Sequence, residues 1–249
     1  MKKTILRLLG YLHNFGPING ATLLLKTQLG RVDKVTLPNI RHPFTLRHNT
    51  SDVPTFEQVF INREYKINFR QPKVIFDCGA NIGMFAIFTK NAFPDAQIIC
   101  VEPDPENFRL LQKNLSVYDD VHCENCGVWN KDTKLKVYDK YNSGNWGMVV
   151  EEDLVTGNIP AVSIKSLMDK YAVEYIDVLK IDIESSEKQL FADHYQDWLP
   201  RVKTIVIELH DFLVDGCSKT FFEAINSTFK NYSLEGKGEN LIIINKDLA

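Results

Sequence analysis

From residue 73 onward the chain repeats one unit: an apolar strand ending near a carboxylate, a turn, and a helical pattern. "KVIFDCG" leads into a helix over 84–91, and "QIICVEP" into a helix over 105–115, where Asp104 suits the N-cap and Pro105 the first helical position. "VHCENCGVW" and "KLKVYD" read as strands. Residues 141–160 read as a loop-rich excursion with Trp146 in "SGNWGM". Then come "AVSI", a short helix over 166–171, "IDVLKIDIE", a helix over 187–191, "KTIVIELH" and a helix near 220–229. Continuously apolar strands alternating with helices mean a parallel sheet covered on both faces. The final pair, "YSLEGK" and "NLIIIN", is linked through Gly236–Gly238, which suits a hairpin and makes one strand antiparallel.

In such a sheet, ligands sit beyond the carboxyl ends of the strands, where the strand order reverses. The first strand ends there in "VIFDCGANIG", with the frame D-x-G-x-N-x-G. A dinucleotide loop reads G-x-G-x-x-G and rests a pyrophosphate on the helix N-terminus. Here no glycine follows two after Gly79, and Asp77 would repel a phosphate. The loop Asp77, Gly79, Ala80, Asn81, Gly83 suits a cationic cofactor without phosphate, and S-adenosylmethionine qualifies. Glu102 closes the second strand, where a carboxylate accepts hydrogen bonds from an unphosphorylated ribose. NAD dehydrogenases share that carboxylate, so Glu102 alone does not discriminate. The bland alternative for Asp77 and Glu102 is ordinary N-capping.

"FDCGANIGMFAIFTK", "VEPDPENFRLLQKNL", "DVLKIDIESSEKQLF" and "IVIELHD" together resemble successive blocks of the FkbM family of S-adenosylmethionine-dependent methyltransferases. "LRHNTSDVPTFEQVF" resembles a segment that precedes the fold in many members. The resemblance spans roughly residues 45–245. It implies a class I, Rossmann-like fold: seven strands in the order 3-2-1-4-5-7-6 with the seventh antiparallel. It also implies O-methylation, commonly of sugar hydroxyls or natural products. Where the family usually has glycine after "KIDIE", this chain has Ser185.

A neutral hydroxyl is a poor nucleophile, so a base or a metal should assist. Asp182 and Glu184 are two apart at one strand end, and Glu208 and His210 at the next, so each pair shares a face. His210, at its ordinary pKa near about 6.5, suits a general base. Asp182 suits the methionine ammonium or the acceptor, and Glu208 suits orienting His210 or a sugar hydroxyl. Asp182, Glu184, Glu208 and His210 could instead hold a divalent metal, which is the less favoured reading. Glu187 reads as an acidic residue in a helix first turn, and Lys180 as neutralising Asp182. Trp146 is a candidate for stacking on a sugar or adenine. Arg47 and Asp52 are candidates for reaching acceptor or cofactor, with local turn bonding as the alternative.

The net charge of -3 conceals an asymmetry: residues 1–70 carry 11 basic and 4 acidic side chains, residues 71–249 carry 18 and 28. Residues 1–70 thus read as a basic N-terminal extension, a substrate or lid region, before a methyltransferase domain over 71–249. A basic segment suits an anionic partner: a phosphate-bearing, nucleotide- or lipid-linked sugar acceptor, or weak contact with a membrane surface. The alternative is a solvated face. The acidic larger part argues against a long nucleic-acid track. No apolar run is long enough to span a bilayer. "MKKTILRLLGYL" reads as a short amphipathic helix, because Arg7 interrupts it and no cleavage site follows. Five cysteines without framework spacing suggest reduced thiols and a cytoplasmic protein. "CENC" lacks the further ligands a zinc site needs. The competing functions are an NAD-dependent oxidoreductase and a non-catalytic binding module that keeps the fold.

Overall fold

The computed structural model describes residues 2–30, 34–139, 148–184 and 186–248. Helices α1 (Lys2–Phe15) and α2 (Pro17–Gln28) fold back on each other at Gly16, whose φ of +79° is left-handed. Short strands β1 (Lys34–Val35) and β2 (Phe44–Thr45) pair antiparallel, as "KVTLP" and "PFTLRH" suggest. Helix α3 (Asp52–Phe56) runs on into a π-helical turn, Glu57–Ile61. The alternating region follows: β3 (Val74–Cys78), α4 (Met84–Ala92), β4 (Gln97–Val101), α5 (Pro105–Leu115) and β5 (Val121–Glu124). Asp104 caps α5 by accepting from the N–H groups of Glu106 and Asn107 at 2.9 and 2.8 Å. Then come β6 (Gly127–Trp129), β7 (Thr133–Asp139), β8 (Met148–Glu152), β9 (Ile159–Ser163) and α6 (Ile164–Lys170). The chain finishes with β10 (Ile176–Ile181), α7 (Glu187–Leu190), β11 (Val202–Ile207), α8 (Cys217–Thr228), β12 (Tyr232–Lys237) and β13 (Asn240–Asn245).

The main sheet has seven strands in the order β12-β13-β11-β10-β3-β4-β5, with β13 antiparallel to both neighbours and the other pairings parallel. Numbered within the sheet this is 3-2-1-4-5-7-6, the expected order. Successive residues alternate faces. Ile75, Ile98, Cys100, Val178 and Val206 enter one apolar cluster with α4 and α5. Phe76, Ile99, Val101, Leu179 and Ile205 enter the other with α6, α7 and α8. The first cluster also takes side chains from residues 1–70, including Tyr11, Phe44, Phe56 and Phe60, so that segment shares the core of the sheet. Phe44 stacks on Phe60 with centroids 5.6 Å apart. Each such buried aromatic contributes about 1.5–3 kcal/mol.

Two sequence expectations need correction. "VHCENCGVW" is not one strand. It breaks after Glu124 because Asn125 turns its Nδ2 onto the carbonyls of Glu102 and Pro103, at 2.9 and 3.1 Å, in place of continuing the ladder. Cys123 stays in the main sheet opposite Cys100, while β6 joins a second, four-stranded sheet, β6-β9-β7-β8. Of the stretch 141–160, the described residues 148–160 are more ordered than loop-rich: β8 pairs antiparallel with β7, and β9 follows a turn in which Asp153 accepts from the N–H groups of Val155 and Thr156. Glu151 and Glu152 obscured this strand in the sequence. Trp146 and Ser185 lie outside the described residues. No helix among the described residues is long and apolar enough to cross a membrane.

Candidate active site

A cavity of about 280 Å³ opens where β3, β4 and β10 end. The loop after β3 forms its floor, with Gly79, Ala80 and Asn81 on the wall. This loop is not an anion cradle. The N–H groups of Gly79 and Ala80 both donate to the Val101 carbonyl, at 3.0 and 2.9 Å. Asn81 N–H donates to Glu102 Oε2 at 2.8 Å, and Gly83 N–H to the Ala80 carbonyl at 2.8 Å. Those donors are spent before any ligand arrives. The groups left for a ligand are acceptors: Asn81 Oδ1 is buried without a hydrogen-bond donor, and the Glu102 and Asp182 carboxylates reach the cavity. A ligand bearing cationic and hydroxyl donors fits this set; a pyrophosphate does not.

Glu102 lines the cavity at 6 % exposure and accepts one backbone bond per oxygen, from Asn81 and from Asp104 at 2.9 Å. A carboxylate has further lone pairs, so two ribose hydroxyls still have acceptors. Burial pushes its carboxyl up to about 7, against the pull of the Asp104 and Asn81 N–H groups.

Asp77 is fully buried under the loop and is not part of the cavity wall. It lies across the β3–β10 pair from Lys180, whose Nζ is 3.3 Å away and also donates to the Gly79 carbonyl at 2.7 Å. Burial opposes the Lys180 charge, but Asp77 and Asp182 overcome it and hold the amine protonated. Lys180 therefore does more than neutralise Asp182, which it meets at 3.6 Å: it ties the glycine loop to the sheet. Asp182 and Glu184 reach the cavity.

Glu208 and His210 stand behind Asp182, off the cavity wall. His210 is 3 % exposed, and its Nε2 lies 3.8 Å from Asp182, 3.9 Å from Glu184 and 3.7 Å from Glu208. Sequence reasoning gave Glu208 the task of orienting this ring. The structure gives it to Glu187, whose Oε1 pairs with His210 Nδ1 at 3.0 Å and also accepts from the Ile183 N–H at 3.1 Å. Glu187 does open α7 as the sequence reads, but it is fully buried and pairs with His210. Burial alone would lower the His210 pKa, but the Glu187 bond and the charges of Glu187, Asp182 and Glu184 raise it to about 9. An imidazole at its ordinary value, expected from sequence, is thus replaced by an imidazolium at neutral pH. Burial, then Asp182, raise Glu208 to about 7. Asp182, Glu208 and His210 each place one ligand atom within 4.8 Å of the others, spacing that would hold a divalent ion once Nε2 loses its proton.

Arg47 and Asp52 are brought together, but away from the cavity wall. Fully buried Asp52 accepts from Arg47 N–H at 2.6 Å and from Nη2 at 2.8 Å, and the same Nη2 donates to Asn107 at 2.6 Å. The pair clasps the front segment to α5. Sequence reasoning missed the rest of the wall. Thr55, Gln58 and Tyr65 come from the front segment, and Val128, Leu135, Val150 and Ile159 of the second sheet, with Cys126 just before it, form an apolar shelf. Tyr65 packs edge-on against Phe85 at 4.9 Å, and burial raises its phenol pKa. The apolar run "CGVW" was the one available hint of the shelf.

The methyltransferase FkbM domain model matches residues 77–234. Methyltransferase 1 of Beauveria bassiana is 25% identical over 193 residues, covering 68% of this chain and 78% of that protein. The 31-O-demethyl-FK506 methyltransferase FkbM of Streptomyces tacrolimicus is 26% identical over 223 residues, covering 74% and 84%. Methyltransferase sdnD of Sordaria araneosa is 26% identical over 188 residues, covering 61% and 73%. With the family's strand order, glycine loop and strand-end acids in place, the chain belongs to the FkbM family of methyltransferases.

Proposed function

We propose that this chain transfers a methyl group from S-adenosylmethionine to a hydroxyl of a sugar, glycan or related natural-product acceptor. Asn81, Glu102 and Asp182 would hold the cofactor, with Asp77 acting through Lys180 to fix the loop beneath it. When bound, the cofactor supplies an electrophilic methyl on a sulfonium. The single observation that carries the hydroxyl reading is the Glu187–His210 pair, locked at Nδ1 with Nε2 turned to the strand-end acids. A neutral amine is nucleophilic enough to attack before it loses a proton; a neutral hydroxyl needs its proton taken, and this pair, standing behind Asp182, would receive it by way of that carboxylate. In the deprotonated form His210 takes that proton at Nε2, and Glu187 stabilises the imidazolium that results. Asp182 and Glu184, which reach the cavity, offer acceptors that suit hydroxyls on one ring, with Glu208 behind them.

Incubation with methyl-labelled S-adenosylmethionine and a panel of glycans and nucleotide- or lipid-linked sugars tests this. Label should appear as a base-stable methyl ether. Label on nitrogen alone would remove the O-methylation reading. A divalent ion on Asp182, Glu208 and His210 is the second reading. Because a proton holds Nε2 at neutral pH, chelator-treated protein should keep its activity. Loss upon chelation, with recovery upon magnesium or manganese addition, would put a metal in place of the histidine base.

A further inference from the structure

Among the described residues, thirteen large apolar side chains are exposed, and seven of them fall in α1–α2 or just after it: Ile5, Leu6, Leu8, Leu9, Ile18, Leu25 and Leu29. They follow the helical period. In α1, Ile5, Leu6 and Leu9 lie opposite buried Tyr11; in α2, Ile18, Leu25 and Leu29 share one stripe away from buried Gly20, Leu24 and Thr27. Ile18 is 79% exposed, in a position where a globular protein normally places a polar residue. The inward faces are firmly docked. Tyr11 OH donates to Glu57 at 2.7 Å, and Gly20 passes so close that a Cβ there would meet the Tyr11 carbonyl at 2.4 Å. The outward leucines are therefore held in place.

Charge selects the occupant. Residues 2–30 contain Lys2, Lys3, Arg7 and Lys26 and no aspartate or glutamate, in a chain whose net charge is -3. Helices of 14 and 12 residues are about 21 and 18 Å long, too short to span a roughly 30 Å bilayer core. Arg7 is spent on Glu57 at 2.5 Å, and the charged residues that remain in the segment, Lys2, Lys3 and Lys26, are all basic; apolar stripes in such a segment are what an anionic lipid surface binds. We infer that the α1–α2 hairpin docks this protein on an anionic membrane surface. The hairpin rests on Glu57, and the next residue, Gln58, lines the cavity, so the docked protein brings its cavity close to the membrane. Resting on the transferase reading above, that placement suits a lipid-linked acceptor.

Co-sedimentation of the full chain with vesicles tests the inference. The protein should bind phosphatidylcholine vesicles containing phosphatidylglycerol, release in high salt, and bind pure phosphatidylcholine at least tenfold more weakly. The variant Leu9→Ser/Ile18→Ser/Leu25→Ser should keep its melting temperature and lose at least tenfold in vesicle affinity. Absence of binding to anionic vesicles would overturn the inference, as would equal binding by the variant. A wild-type dimer in sedimentation that the variant converts to monomer, without vesicle binding, would make the stripes an interface between copies. S-adenosylmethionine titration is the separate control: it should be unchanged in the variant, so failure of docking leaves the transferase reading standing.

Discussion

Replacing His210 by glutamine should lower turnover by about 10²–10⁴-fold while S-adenosylmethionine affinity stays within about twofold, since a positioned general base contributes on that scale. Glutamine retains a donor for buried Glu187, so the fold is spared an orphaned carboxylate; alanine would not spare it. Glu187→Gln separates positioning from packing. In the free wild-type enzyme the His210 pKa lies at about 9, so kcat/KM should rise with pH along a limb that levels off near that value. Without the Glu187 charge the limb should move down toward the ordinary histidine range. The same linkage has a stability sign. A histidine whose pKa is raised from 6.5 to about 9 stabilises the fold fully below 6.5, and that stabilisation fades as pH climbs through 9. Thermal melts of wild type should therefore lose stability across that window more steeply than those of His210→Gln. A pH–rate profile identical in wild type and Glu187→Gln would remove Glu187 from the mechanism.

Among the described glycines, Gly79→Ala should be the most damaging substitution. The residue has φ +79°, and a Cβ there would sit 1.7 Å from the Asp182 carbonyl oxygen. Neither backbone can yield, because Asp182 N–H donates to the Cys78 carbonyl at 3.0 Å and Gly79 N–H to Val101 at 3.0 Å. The expected cost is about 4 kcal/mol or more, a fall in melting temperature of roughly 8–16 °C, with cofactor binding lost. Gly236→Ala is the control: nothing lies within 4 Å of its Cβ, so it should melt close to wild type. If Gly79→Ala melted like Gly236→Ala and still bound cofactor, the tight approach of loop and strand would be wrong.

The main sheet was readable because its strands are apolar on both faces and each runs into a helix signal, and the closing hairpin because of its glycine link. Three strands of the second sheet were readable, within "VHCENCGVW", "KLKVYD" and "AVSI", but not that they form a sheet of their own; β8 was hidden by its two glutamates on an edge strand. The cofactor loop was readable as a motif, but its chemistry was not. Nothing local announces that Gly79, Ala80 and Asn81 spend their N–H groups on Val101 and Glu102. The partner of Glu187 was missed for a related reason. An acid in the first turn of a helix is ordinary; only the return of β11 brings His210 onto it. The elevated His210 pKa likewise needs Asp182, Glu184 and Glu187, which lie after β10 and in α7, to meet a ring carried past the end of β11. Arg47 and Asp52 show the opposite outcome. Five residues apart, they found each other, and the local reading describes what they do.

The account stands most directly on what enters the 280 Å³ cavity. Calorimetric titration of the purified chain with S-adenosylmethionine and, separately, with NAD measures this. One S-adenosylmethionine per chain should bind and NAD should not. Because burial holds the free Glu102 carboxyl at about 7 and ribose hydroxyls favour its ionised form, affinity should rise from pH 6 to pH 8, by at most about tenfold per unit. Glu102→Gln should weaken binding by roughly 10- to 100-fold and flatten that dependence. Saturable NAD binding, or S-adenosylmethionine binding indifferent to Glu102→Gln, would contradict the account.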